Sequence, residues 1–238
     1  MSTVKRIALI PARGGSKGIA EKNLSLIGGV SLLEWAVRTA VESNQFDTIY
    51  IDTDDANIQE IGLKLGCQVP RLRPAEFATD ESSIIDAITD FLEFISAELD
   101  CDETCIVLLQ PTSPFRKGDD LQRMIEEWNV GKRLNSVVSV SNPIQSPKDF
   151  IMLSSTGAWV PAFAPDFKVT NRQQISEYKF ITGGIYVFSK RFIEEHGSLV
   201  VTGKTQFYDC GPLSGVDIDN LQDLLIARAL FEFGLSNF

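Results

Sequence analysis

IALIPARGGSKGIAEKN, residues Ile7 to Asn23, decides the reading of this chain. Ile7, Ala8, Leu9 and Ile10 form an apolar run suited to a buried strand, and Pro11 breaks it. The loop that follows carries Gly14, Gly15 and Gly18 among Arg13, Ser16, Lys17 and Lys22. Glycines let a backbone approach a ligand closely and present successive N–H groups, and the basic side chains add positive charge at the same point. Glycine and lysine together after a first strand predict a polyphosphate seat at the C-terminal edge of an α/β sheet. Neither common phosphate fingerprint is present. A Walker loop needs Ser or Thr after its lysine, but Gly18 follows Lys17; G-x-G-x-x-G fails because position 16 is Ser. The bland alternative is a glycine-rich turn with solvated charges. Charge placement favours function: residues 1–23 sum to +4, whereas the whole chain is −10, leaving −14 for the rest. A local positive site in an acidic protein points to a small anion, not to nucleic acid.

Outward from that loop, 238 residues allow one domain or one domain with a sizeable insertion. A composition 44% hydrophobic and 23% charged is that of a globular protein with a full core. No apolar run is long enough to cross a bilayer, and Ile7–Ile10 is too short for a signal peptide. Cys67, Cys101, Cys105 and Cys210 form no zinc pattern, and His196 is the single histidine. Reduced cysteines in a cytoplasmic protein, with no membrane partner, are expected.

Strand and helix patterns then alternate. Helices are predicted over Ser31–Glu42, Asp54–Leu65, Asp80–Glu98, Asp119–Trp128 and Leu221–Phe233. Strands are predicted over Thr48–Asp52, Cys105–Leu109, Ser136–Val140 and Ile185–Phe188, with a short one at Cys67–Pro70. Repeated βα units predict a mostly parallel, doubly wound sheet with ligands at strand C-termini. From Ser141 the character changes. Pro143, Pro147, Pro161 and Pro165 with scattered aromatics suggest an insertion over 141–184, flanked by a main domain of 1–140 and 185–238. Trp159, Phe163 and Phe167 in that insertion could form a dimer arm or pack on their own domain.

Two further constellations carry chemistry. Gln110-Pro111-Thr112-Ser113-Pro114 ends a strand at the edge predicted for the phosphate loop, so Gln110 could bind substrate or cap a neighbouring backbone group. Asp217-Ile218-Asp219, if extended, projects both carboxylates to one face, where they repel unless a cation lies between them. Mg²⁺ suits such a pair and also binds nucleotide phosphates. The competing account makes Asp219 the N-cap of the last helix, with Asp217 in solvent. Within Asp52-Thr53-Asp54-Asp55, Asp54 or Asp55 is expected to cap the next helix.

PARGGSKG with Lys22-Asn23, Asp52-Thr53-Asp54-Asp55, Arg73-Pro74 with Ala78, Asp80, Ser82 and Ser83, LLQPTSPFR at Leu108–Arg116, Gly184-Ile185-Tyr186 and Asp217-Ile218-Asp219 occur in that order. Together they resemble the acylneuraminate cytidylyltransferases, or CMP-sialic acid synthetases, over residues 7 to 219. The resemblance implies a Rossmann-like nucleotidyltransferase fold with an inserted dimerisation segment, hence a homodimer. It implies transfer of CMP from CTP to the anomeric hydroxyl of a nonulosonic acid, with release of pyrophosphate. By position, Arg13, Gly14, Gly15, Ser16, Lys17 and Lys22 would hold the triphosphate and Asn23 the ribose, while Arg73 with Ser82 or Ser83 would read the cytosine. Gln110, Thr112, Ser113, Arg172, Gln173, Tyr178, Thr182 and Gly183 would meet the sugar acid. Asp217 and Asp219 would ligate Mg²⁺, and with Arg13 and Lys17 they form the expected catalytic set.

Thr182-Gly183-Gly184 stands where many members have Asn-Gly, and Asn171-Arg172-Gln173-Gln174 differs from the Arg-Arg-Gln of some relatives. The sugar acid is therefore open among N-acetylneuraminic, legionaminic, pseudaminic and deaminated neuraminic acids. His196 lies outside every motif, so an aspartate or a metal-bound hydroxide is the expected base. A cytidylyltransferase for the eight-carbon acid Kdo and a non-catalytic CTP-binding subunit are the alternatives.

Overall fold

The computed structural model describes residues 4–99, 104–131, 133–143, 145, 147–162 and 178–234. Ten strands and six α-helices follow one another among them. They are β1 (Arg6–Pro11), β2 (Leu26–Ile27), β3 (Val30–Ser31), α1 (Leu32–Ser43), β4 (Thr48–Asp52), α2 (Ala56–Lys64), α3 (Ile84–Phe94) and β5 (Cys105–Leu109). Then come α4 (Gly118–Val130), β6 (Ser136–Ser141), β7 (Ile151–Leu153), β8 (Trp159–Pro161), β9 (Phe180–Phe188), α5 (Lys190–His196), β10 (Thr205–Asp209) and α6 (Leu221–Glu232).

The main sheet has the order β10-β6-β9-β5-β1-β4. β1 pairs in parallel with β4 and β5, and β10 with β6, while β9 runs antiparallel between β5 and β6. Its central strands are buried on both faces, which explains their unbroken apolar runs. Side chains alternate across the sheet. Ala8, Ile10, Val107 and Leu109 pack with α1, α2 and α4. Ile7, Leu9, Ile106 and Leu108 pack with α3 and α5 on the other face. A third cluster joins Ile27, Leu32, Phe115 and Ile218 to Leu224 and Ala227 of α6. That cluster anchors the Asp217–Asp219 segment, because Ile218 between the two aspartates is fully buried.

Three boundaries differ from expectation for identifiable reasons. α3 begins at Ile84, because residues 79–83 form a capped turn in which the Ser83 side chain accepts from Ile85 N. β9 begins at Phe180, five residues before Ile185, so Thr182, Gly183 and Gly184 lie within a strand of the main sheet. Cys67–Pro70 forms no named strand, only a single parallel bridge of Gln68 to Tyr50. Within the expected insertion, β7 and β8 form an antiparallel hairpin whose Ile151, Met152, Leu153 and Trp159 are exposed. Phe163, Phe167, Arg172 and Gln173 lie outside the described residues. Cys67, Cys105 and Cys210 are free, and burial pushes their thiols up, to about 11, 12 and 12 respectively. No helix among the described residues is long and apolar enough to cross a membrane.

Candidate active site

The loop after β1 lies across the C-terminal ends of β1, β4 and β5, where parallel sheets bind ligands. Its glycines serve different purposes. A Cβ on Gly14 would stand 2.6 Å from the Asp55 carboxylate, and one on Gly18 would stand 2.1 Å from the Asp219 carbonyl oxygen. Gly15 faces open space. The expected run of free N–H groups is therefore interrupted, since Gly14 N donates to Asp54 Oδ1 at 2.9 Å. Asp55 caps α2, accepting from Asn57 N and Ile58 N, so Asp54 and Asp55 divide the holding and capping tasks.

The loop's cations are held poised. Arg13 contacts Asp80 at 2.8 Å and donates to the Thr79 carbonyl at 3.0 Å, while Lys17 reaches the other Asp80 oxygen at 3.3 Å. Desolvation is the largest single influence and pushes the Asp80 carboxyl up, but the bonds and charges of Lys17 and Arg13 together outweigh it and hold the group below its ordinary range. Lys22 Nζ meets Asp219 Oδ1 at 3.0 Å, across 197 residues of sequence. Asn23 is buried and donates to the Arg13 carbonyl at 2.9 Å, and Ser16 is half-buried beside it.

A cavity of about 200 Å³ opens beside this loop, lined by Arg13, Lys22, Asn23, Arg73, Gln110 and Thr112, with Pro11, Ile84 and Pro111 completing the wall. Arg73 is buried and donates to Asp52 through both Nε and Nη2. Ser82 is held in its own turn, donating to the Glu76 carbonyl at 2.7 Å, and Ser83 is occupied as the α3 cap. A larger hollow, about 550 Å³, lies between α4 and β10 beside Arg123, Glu126, Gln206 and Tyr208. It holds none of these residues.

The late aspartates dock on the same edge. Ile218 N donates to the Thr112 carbonyl at 2.9 Å, and the Thr112 hydroxyl bonds the Asp217 carboxylate. Desolvation pushes the Asp217 carboxyl up, Asp219 adds to the shift, and Thr112 and Lys22 oppose it. Asp219 is not the N-cap of α6. Asn220 is, in a capping box with Asp223 whose carboxylate accepts from the N–H groups of Asp219 and Asn220. The Asp219 side chain, released from capping, turns to Lys22, and the Asp217 side chain to Thr112. Among the described residues no cluster of three or more metal-ligating side chains occurs, but Mg²⁺ commonly takes one or two carboxylates plus phosphates and water. A desolvated carboxylate beside a second acid fits such an ion.

On the sugar-acid side the structure separates the expected residues. Gln110 lines the cavity, and a Cβ on Gly183 would lie 3.9 Å from its Oε1. Ser113 is buried against Gly184 with its hydroxyl unpartnered. Thr182 turns into the sheet instead, its hydroxyl 2.7 Å from that of Ser139, so it stabilises the irregularity between β6 and β9. Tyr178 is half-buried ahead of β9. Sequence reasoning assigned no role to Arg116, Asp52 or Asp80. Arg116 is buried and bridges the carbonyls of Gln110 and Gly184 through Nη1, leaving Nε and Nη2 unpartnered. Burial pushes its pKa down to about 9, opposed by Asp217. The signal for Arg116 lay within LLQPTSPFR. His196 packs edge-on against Phe192 in α5, away from this edge.

Comparison with known proteins places this geometry. A cytidylyltransferase family model matches residues 7–156, more than half of the chain. CMP-N,N'-diacetyllegionaminic acid synthase of Legionella pneumophila is 32% identical over 95% of this chain and 96% of its own length. N-acylneuraminate cytidylyltransferase of Streptococcus agalactiae is 30% identical over 98% of this chain, which spans only 55% of that relative. A solved CMP:2-keto-3-deoxy-manno-octonic acid synthetase complexed with CTP superposes with a TM-score of 0.69 over 97% of this chain and 99% of its own, at 15% identity. A 4-diphosphocytidyl-2C-methyl-D-erythritol synthase from Anaerococcus prevotii follows at 0.62 over 96% and 98%, at 14% identity. These two share the fold. The glycine-lysine loop, the aspartate couple that closes on it and the family match over residues 7–156 make this chain a member of the cytidylyltransferase family.

Proposed function

We propose that this chain transfers CMP from CTP to the anomeric hydroxyl of a nonulosonic acid, releasing pyrophosphate. One observation carries the reading: Arg13, Lys22, Asn23, Arg73, Gln110 and Thr112 line one cavity, and the Asp217–Asp219 segment is bonded to two of them. The names of the Legionella and Streptococcus relatives support a nonulosonic acid over Kdo, whose synthetase shares the fold alone.

The reaction is a displacement at the α-phosphorus, where positioning and charge neutralisation lower the barrier. Arg13 and Lys17, with the open backbone at Gly15 and Ser16, would stabilise the charge that grows on the pyrophosphate. Lys22 would bridge triphosphate and aspartates, Asn23 would bind ribose, and Arg73 would read the base. Ser82 and Ser83 would reach the base only by giving up their present bonds. Gln110, Thr112, Ser113 and Gly183 would orient the sugar acid, joined by Tyr178, Arg172 and Gln173; Thr182 would act from within the sheet. Asp217 and Asp219 would hold Mg²⁺, which when bound neutralises phosphate charge.

The exposed apolar hairpin of β7 and β8 supports a homodimer, and the free thiols suit a reducing cytoplasm. The test offers CTP, Mg²⁺ and a panel of N-acetylneuraminic, legionaminic, pseudaminic and deaminated neuraminic acids while following pyrophosphate. Release with at least one acid is expected, and Lys17→Ala and Asp219→Asn should abolish it in folded protein. CTP binding without release would support a non-catalytic subunit instead.

A further inference from the structure

Asp52 closes β4, 1% exposed, and its carboxylate and carbonyl accept bonds from the phosphate loop and from the cavity wall. Its carboxylate accepts from Arg73 Nε at 2.8 Å, and its carbonyl oxygen accepts from Arg73 Nη2 at 2.9 Å. That same carbonyl accepts from Ala12 N at 2.9 Å, at the start of the glycine loop. The Arg73 backbone is tied to the next residue, with N donating to the Thr53 carbonyl at 2.7 Å. One residue is therefore the joint between the phosphate loop and the arginine on the cavity wall.

We infer that Asp52 is a positioning and specificity-determining residue: by engaging Nε and one N–H of Nη2 it fixes the Arg73 guanidinium on the cavity wall with the outer Nη1–Nη2 edge left to donate, and thereby makes the site choose cytosine over uracil. The inference rests on the cavity being the CTP seat.

Charge separates Arg73 from the other cations there. Arg13, Lys17 and Lys22 pair with Asp80 and Asp219 near the surface, where a triphosphate can replace the partner. Arg73 is compensated in contact and in the interior, by a partner only 2% exposed in its side chain. It offers direction in place of net charge, which suits a neutral ring. An arginine can only donate. With Nε and one N–H of Nη2 engaged, the parallel N–H pair left on the outer edge, one from Nη1 and one from Nη2, matches the O2 and N3 acceptors of cytosine. Uracil presents N3–H instead, donor against donor, and a site built to donate rejects such a ring strongly.

Stability does not account for the pair. Burying two charges costs desolvation that an apolar pair of equal volume avoids. Asp52 Oδ1 is also buried without a partner, and desolvation pushes the carboxyl up despite the Arg73 charge. What the pair supplies is a fixed guanidinium.

The test compares wild type, Asp52→Glu and Asp52→Asn in kcat/KM for CTP and UTP, KM for the sugar acid, thermal unfolding, and calorimetric binding of both nucleotides. Asp52→Glu keeps the charge but displaces the guanidinium by a methylene. It should stay folded, raise KM for CTP about 10- to 100-fold and lower the CTP:UTP ratio at least about tenfold, as expected when a charge-assisted bond is misaligned. KM for the sugar acid should stay within about twofold. Asp52→Asn should do the same where it folds. An unchanged CTP:UTP ratio in Asp52→Glu, whatever the change in stability, overturns the inference. A wild type that releases no pyrophosphate refutes the transferase reading instead, and the calorimetric CTP:UTP ratio then decides the role of Asp52.

Discussion

Gly18→Ala is the most exacting probe of the junction between the glycine loop and the aspartate couple. Gly18 has no positive φ, so alanine is compatible with its backbone, and the obstacle is purely steric. Its added methyl would stand 2.1 Å from the Asp219 carbonyl oxygen and 3.2 Å from the carbonyl carbon. Ordinary contact begins near 3.4 Å, so the loop or the aspartate segment must retreat by about 1 Å. The segment is poorly free to move, since Ile218 is fully buried and Ile218 N is bonded to Thr112. Overpacking of this kind costs about 1–3 kcal/mol, or about 2–12 °C in a domain of this size. Opening the Lys22–Asp219 contact misplaces charge by a similar distance, and 1 Å of misplacement can cost about 100-fold in kcat. Gly15→Ala is the matched control, because its methyl meets nothing within 4 Å. It should unfold within about 1 °C of wild type and alter only KM for CTP. Differential scanning calorimetry and a pyrophosphate-release assay measure both. Gly18→Ala with wild-type Tm and kcat, or Gly15→Ala destabilised as much as Gly18→Ala, would refute the packing argument.

Three other outcomes follow from the same geometry. Asp80 competes with triphosphate for Arg13 and Lys17, so Asp80→Asn should lower KM for CTP about two- to fivefold, the effect shrinking at high salt. Arg116→Lys replaces the rigid guanidinium whose Nη1 joins the Gln110 and Gly184 carbonyls with a shorter, flexible ammonium; it should cost about 1–3 kcal/mol and raise KM for the sugar acid more than KM for CTP. The raised carboxyl of Asp217 binds its proton more tightly folded than unfolded, so its contribution to stability falls as pH rises through that range, beginning near about 4. On the proposed function activity needs the ionised form and should climb over the same interval, and Asp217→Asn should flatten the stability profile by that group's share, Asp52 and Asp120 keeping theirs, as calorimetry against pH would record.

The sheet was legible because its strands are governed by their own side chains. β4 and β5 match the expected spans, and the continuous apolar run of Cys105–Leu109 reflects burial on both faces. What escaped was decided by partners far away in sequence. Asp80, Glu81 and Ser82 read as a first helical turn, yet Asp80 is drawn to Arg13 and Lys17, and Ser82 closes a turn on Glu76, so α3 starts late. Gly183 and Gly184 read as part of the insertion, but Gly184 lies where a Cβ would meet Ser113 at 3.1 Å, and a strand of the main sheet runs through both. The α6 cap was readable: Asn220 with Asp223 has capping-box spacing, and recognising it would have released Asp219 from that role. Several residues that line the cavity were legible because a basic glycine loop and paired acids advertise their chemistry. Asp52, Asp80 and Arg116 act through other residues, and each bonds to groups at least six positions away in the chain. Such residues hold the cavity in shape, and they become visible only when the strand ends meet. On the proposed function the site divides into two sets of residues, one to meet the nucleotide and one to aim the first. The glycine variants test where the two sets join, and the Asp52 variants test whether aiming governs the choice of base.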